Sequence, residues 1–129
     1  MTTPPELNSL KDKIAQYNPD CDWNQIVAAY LFAKDAHKGQ VRHSGEPYIS
    51  HPLAVAEILT NVEADDKTII AGILHDVAED TEHTIEEIET LFDKDVAVLT
   101  EGVTKLGKVK GRTKSEQKME NIRKMIFAT

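Results

Sequence analysis

Ile69-Ile70-Ala71-Gly72-Ile73-Leu74-His75-Asp76-Val77-Ala78-Glu79-Asp80 decides how this chain is read. Ile69, Ile70, Ile73, Leu74 and Val77 recur at helical spacing and make a broad apolar stripe typical of a buried helix. The polar members fall at i, i+1, i+4 and i+5, so His75, Asp76, Glu79 and Asp80 share one side of that helix and can address one point. As plain structure the cluster is unfavourable. Asp76 repels Asp80 at i,i+4 and Glu79 at i,i+3, each by roughly a few tenths of a kcal/mol, and anions near a helix C-terminus oppose its dipole. A cation bound at this face reverses the sign of all these terms. The plain alternative is an acidic, solvated helix end.

A second histidine lies upstream, in Arg42-His43-Ser44-Gly45-Glu46-Pro47-Tyr48-Ile49-Ser50-His51-Pro52. This polar, turn-rich segment leads into the apolar periodicity of Leu53, Val55, Ala56, Ile58 and Leu59, which places His51 at or just before a helix start. Pro52 then falls in the first turn, where its missing N–H costs nothing. Alone, His51 reads as a cap or a surface residue. Beside a His-Asp pair it becomes a third candidate ligand, because imidazole with carboxylate suits a borderline divalent ion.

The periodicity is helical nearly throughout, with no alternating strand. Helices are expected over 6–17, 22–38, 52–61, 65–78, 84–92, 94–106 and 114–127. Asn18-Pro19 ends the first, Asp22 caps the second, Gly39 closes it, and Thr84 with Glu87 reads as a capping box. Short turns between helices imply an all-α, irregular bundle. Two connections are longer than such a bundle requires, Gly39 to Ser50 and the Lys- and Arg-rich Gly107 to Thr113. Loops of that kind over a rigid scaffold are where binding groups gather.

The chain has 129 residues, which suits one domain with a single core. The lone Cys21 excludes an internal disulfide and a CxxC zinc site, and fits a reducing compartment. No apolar run reaches the length of a membrane span and Met1 is followed by polar residues, so the expectation is a cytoplasmic protein without a membrane partner. The net charge of -7 is unevenly spread. Residues 63–101 carry 13 acids against Lys67 and Lys94, whereas residues 105–124 hold eight basic side chains against Glu116 and Glu120. The basic stretch either contacts phosphates or is a solvated flank. It lacks interleaved aromatics, so direct nucleic-acid binding is not expected. Neither GxxxxGK[ST] nor GxGxxG occurs, and Ser44 and Cys21 have no convincing base, which leaves metal-assisted hydrolysis as the better chemistry.

Four segments in order carry a family resemblance: Ala36-His37-Lys38-Gly39-Gln40, the Arg42 to Pro52 segment, His75-Asp76-Val77-Ala78-Glu79-Asp80-Thr81, and Gly102-Val103-Thr104-Lys105-Leu106. Over roughly residues 22–127 the chain resembles the N-terminal hydrolase domain of the bifunctional (p)ppGpp synthetase/hydrolases, the long RelA/SpoT homologues, whose domain belongs to the HD superfamily. The resemblance implies an HD-type helical bundle and a Mn2+-dependent reaction that removes the 3′-diphosphate of ppGpp or pppGpp, giving GDP or GTP and pyrophosphate. It implies His51, His75 and Asp76 as metal ligands, and Glu79 and Asp80 as the acidic pair that orients water and manages its proton. Arg42 matches a side chain that packs on the guanine, His43 a neighbouring base-contacting position commonly held by Lys, and Ser44 the same substrate loop.

The family's fourth ligand, an Asp in a later Leu-Ala-Asp-Arg motif, has no counterpart here, since the last aspartate is Asp95. The resemblance therefore implies that residues 1–129 are a C-terminally incomplete piece of a multidomain protein, joined in the parent to a synthetase domain. This piece is expected to hold Mn2+ poorly and to have little or no activity. Two other functions compete with hydrolysis of ppGpp: an HD phosphohydrolase of another nucleotide, and a regulatory or nucleotide-binding module without turnover.

Overall fold

The computed structural model describes residues 3–40, 45 and 48–105, and these are helical with no strand among them. A single 3-10 turn, Pro5–Leu7, runs into α1 (Asn8–Tyr17); then follow α2 (Trp23–Ala36), α3 (Ser50–Thr60), α4 (Asp66–Asp80), α5 (Ile85–Leu91) and α6 (Lys94–Lys105). The all-α expectation holds, and the helix expected over 114–127 lies outside the described residues. No helix among the described residues is long and apolar enough to cross a membrane.

α4 is the centre of the bundle. Its residues Ile69 to Val77 are buried without interruption, which means that the helix is covered on every side. α6, α2 and α3 pack around it, α5 lies on α6, and α1 lies on α3. The core runs through Leu10 and Ile14 of α1, Ile26 and Tyr30 of α2, Val55 and Leu59 of α3, Ile69, Ile73 and Leu74 of α4, Ile88 of α5 and Val96 of α6. Each Leu or Ile so buried is worth about 1.5–3 kcal/mol against remaining in water.

Side-chain caps fix where the helices begin. Asp22 accepts from the Gln25 N–H, Asp65 from Thr68 and Thr84 from Glu87, as residues of that type do at N-cap positions. The starts of α2 and α4 are tied together by the Asp22 N–H, which donates to Asp66 Oδ2 at 3.0 Å. Four boundaries depart from expectation by two residues, each for a local reason. α1 begins at Asn8 because Pro5–Leu7 forms a 3-10 turn where the α-helix was expected to start. α2 ends at Ala36, before Gly39 takes a φ of 85° that only a turn here requires. α3 begins at Ser50 because Ile49 is already in the right-handed helical region, which draws His51 into the first turn. α4 continues to Asp80 because Thr81 returns both its N–H and its hydroxyl to the Val77 carbonyl.

Candidate metal centre

His75 and Asp76 lie where α4 is still in the core, and His51 faces them from the first turn of α3. Gly72 sets the approach of the two helices. A Cβ at that position would come within 2.7 Å of Leu59 Cδ1 and 3.2 Å of Val55 Cγ1, both on α3. Without a side chain there, α3 settles against α4 one turn before the His-Asp pair.

The Asp76 carboxylate sits between the two imidazoles: Oδ2 is 3.1 Å from His51 Nε2 and Oδ1 is 3.0 Å from His75 Nε2. His75 Nδ1 donates to the Gly72 carbonyl at 2.8 Å, and because a carbonyl only accepts, this bond assigns the ring proton to Nδ1. Nε2 of a neutral His75 then points a lone pair at a carboxylate oxygen, an arrangement that requires a cation between them, either a proton on Nε2 or a metal ion. His51 has a related problem, because its Nδ1 is buried with no hydrogen-bond partner among the described residues. One nitrogen or oxygen from each of the three residues lies within 4.8 Å of the others, and all three residues are buried. This N, N, O donor set could hold a metal ion, and its composition suits a divalent one. The backbone bond at the far nitrogen of His75 is the kind of contact that fixes a ligating imidazole.

The electrostatics keep the anion in place. Burial works to raise the Asp76 pKa, but the hydrogen bonds and charges of His51 and His75 outweigh it and hold the carboxyl well below the usual range. Burial likewise works to lower His75, while the Asp76 hydrogen bond and charge, with the Gly72 carbonyl and the Glu79 charge, leave it above the ordinary histidine value. The pocket therefore stabilises positive charge beside Asp76.

Glu79 and Asp80 do not join this group. α4 rises out of the core over its last turn, so both are exposed, and the single point that helical spacing suggested becomes two adjoining regions. Asp80 Oδ2 accepts the Tyr48 hydroxyl at 2.5 Å. The side chain borders an open cavity of about 530 Å³ lined by Asp35, Ala36, Gln40, Thr81, Glu82 and His83. Arg42, His43 and Ser44 lie outside the described residues. Three residues with no assigned role turn out to contact the site's neighbourhood: His37, which is buried and stacks on Tyr48, Gln40, whose side chain donates to the Asp80 carbonyl, and Tyr48 itself. They stand inside motifs that the sequence offers, but nothing in their spacing announces the contacts.

A buried His and His-Asp pair on neighbouring helices of an all-α bundle is the signature of one class of proteins. The chain belongs to the HD domain family, whose profile matches residues 29–129. Among curated relatives it is similar to the bifunctional (p)ppGpp synthase/hydrolase SpoT of Escherichia coli K12, 52% identical over 122 residues that cover 95% of this chain and 17% of that protein. The guanosine-3′,5′-bis(diphosphate) 3′-pyrophosphohydrolase of Vibrio cholerae is 46% identical, with 95% and 17% covered. The GTP pyrophosphokinase of Myxococcus xanthus is 47% identical over 118 residues, 89% of this chain and 16% of that protein. The chain thus spans about one-sixth of the length of these relatives.

Proposed function

We propose that this chain is the hydrolase domain of a longer protein of the SpoT type and that the parent protein removes the 3′-diphosphate of (p)ppGpp with the help of Mn2+. The observation that carries the reading is the buried His51–His75–Asp76 group in a domain similar to 3′-pyrophosphohydrolases. A divalent ion held there supplies Lewis acidity, which neutralises phosphoryl charge and makes water a nucleophile near neutral pH.

The chain's own residues do the rest. His51 and His75 offer Nε2, and Asp76 offers its carboxylate, from positions fixed by helix packing rather than by loops. Glu79 and Asp80, exposed beside that group, take the proton from the attacking water as general bases. The water oxygen joins the phosphorus next to the 3′-oxygen, the ester bond breaks, and the 3′-oxygen takes up a proton, so that GDP or GTP leaves with pyrophosphate. By the family resemblance Arg42 is assigned to packing on the guanine, and His43 and Ser44 to further substrate contacts. The acidic surface around Asp80 repels a nucleotide carrying two diphosphates, and Arg42 with the ion supplies the opposing charge.

Incubating the full-length protein with Mn2+ and ppGpp, and separating the products, tests this reading. GDP and pyrophosphate in equal amounts are expected, with other purine nucleotides turned over far more slowly. Equal turnover of another nucleotide would move the protein to a different phosphohydrolase, and nucleotide binding without product would make it a regulatory module.

A further inference from the structure

Asp80 presents a positioning problem. It is the last residue of α4, its side chain is exposed, and neither packing nor a following helical turn selects its rotamer. It also follows Glu79 at the negative end of the helix dipole. General base chemistry needs such a group held within a fraction of an ångström, and a displacement of about 1 Å can cost a hundredfold in rate.

The residues that meet Asp80 come from the stretch after α2 and the approach to α3, 32 to 40 positions away in sequence. The Tyr48 hydroxyl donates to Oδ2 at 2.5 Å, a length typical of a charge-assisted O–H···O bond. Gln40 Nε2 donates to the Asp80 main-chain carbonyl at 3.2 Å, engaging the final carbonyl of the helix. Because that contact uses the amide nitrogen, Gln40 Oε1 is left to accept from His37 Nδ1 at 3.0 Å. The Tyr48 N–H closes the circuit by donating to the Gln40 carbonyl at 3.1 Å.

The Tyr48 ring is itself held. It stacks on the buried His37 ring with centroids 4.4 Å apart and planes 20° from parallel, and it meets His51 edge-on at 6.4 Å. The hydroxyl that orients Asp80 thus belongs to a ring seated against one of the candidate ligands. We infer that Tyr48, held by His37 and Gln40, is a positioning residue that sets the Asp80 carboxylate in register with the His51–His75–Asp76 group. The second Asp80 oxygen takes no hydrogen bond among the described residues, so the brace leaves it available to a proton donor. This inference rests on the reading of Asp80 as a proton acceptor.

Tyr48→Phe keeps the ring and removes only the hydroxyl, and Asp80→Ala removes the acceptor, so the two make a cycle. In the full-length protein with Mn2+, Tyr48→Phe should lower kcat about 10- to 100-fold with KM unchanged. It should cost less than about twofold when Asp80 is already Ala. Equal losses in both backgrounds would overturn the positioning role, since Tyr48 would then act by another route. A second readout needs neither metal nor turnover: denaturant unfolding of this chain. The double variant should unfold near the midpoint of the weaker single variant, whereas fully additive shifts would show that the hydroxyl and carboxylate are not coupled and would overturn the brace. If Asp80→Ala alone retained wild-type turnover, the assignment of Asp80 as proton acceptor would fall, and the unfolding cycle would still judge the contact separately.

Discussion

Two successive turns of α4 carry acidic residues and treat them in opposite ways. Asp76 is 4% exposed and its charge is met by two imidazoles, whereas Glu79 and Asp80 stand at the surface and Asp80 is met by one phenol. Burial makes the first group rigid and expensive to leave uncompensated, which is what an ion site needs. Exposure leaves the second group reachable by water and substrate at little cost in solvation, which is what proton transfer needs. One helix supplies both environments by crossing from core to surface within five residues.

The comparison breaks most visibly if the buried turn is emptied. His75→Ala and Asp76→Ala should each weaken Mn2+ binding by more than about 100-fold, given that even the partners of ligating residues are worth 10–100-fold. His75→Ala should also destabilise the metal-free fold by about 3 kcal/mol, because it leaves a buried carboxylate with one partner fewer. Calorimetric titration and denaturant unfolding check the two effects; unchanged affinity in both variants would remove these residues from the ion site. Changing the exposed turn should do the reverse. Glu79→Gln and Asp80→Asn should keep metal and fold while lowering turnover about 10²–10⁴-fold, the usual contribution of a positioned proton acceptor. Pyrophosphate release measured alongside metal content decides this, and near-normal rates in both would exclude them from the mechanism.

A smaller effect is expected where the buried turn meets α3. Gly72→Ala gains about 1 kcal/mol in helix propensity but forces Leu59 and Val55 aside, an overpacking that costs about 1–3 kcal/mol. Leu59 Cδ1 is the end of a flexible chain, so the net loss should be near 1 kcal/mol, with Mn2+ affinity falling as His51 is displaced. A variant more stable than wild type and equal in affinity would show that the close approach is not what sets the site.

A last effect is confined to acid. Burial opposes the charge of Asp76, and the hydrogen bonds of His51 and His75 overcome it, so its folded pKa lies below its unfolded one. Its contribution to stability is then complete above about pH 4 and is lost as the pH falls through the depressed folded value. Unfolding curves of the metal-free chain should show that acid-range loss, and Asp76→Asn should lack it. The same acid slope in both would mean that other carboxyls carry it.

Much of this was legible beforehand because it depends on local pattern. The stripe from Ile69 to Val77 marked the central helix, and Asp22 and Thr84 cap the helices they were expected to cap, whereas Asp65, expected within α4, is its N-cap. Helix ends were less legible, since α4 is extended by a Thr81 side chain that could equally have faced solvent. The pairing of His51 with Asp76 was legible only as residue types that suit one ion. Their 3.1 Å contact depends on how two helices cross, and Gly72 in the middle of α4 is the sequence's hint of a close crossing with α3. The splitting of His75, Asp76, Glu79 and Asp80 into two environments was not legible, because helical spacing fixes a face but not the depth at which the helix leaves the core. Contacts such as Tyr48 to Asp80 join a turn to a distant helix end, and no periodicity encodes them.

The central claim is that the ion belongs to the buried turn and the protons to the exposed one. Anomalous X-ray scattering at the manganese edge, from crystals of the full-length protein grown with Mn2+, tests it most directly. The account predicts one strong peak within bonding distance of His51 Nε2, His75 Nε2 and the Asp76 carboxylate, with Glu79 and Asp80 outside that distance. A peak centred instead on the exposed carboxylates, with the buried group still closed on itself by hydrogen bonds, would contradict it.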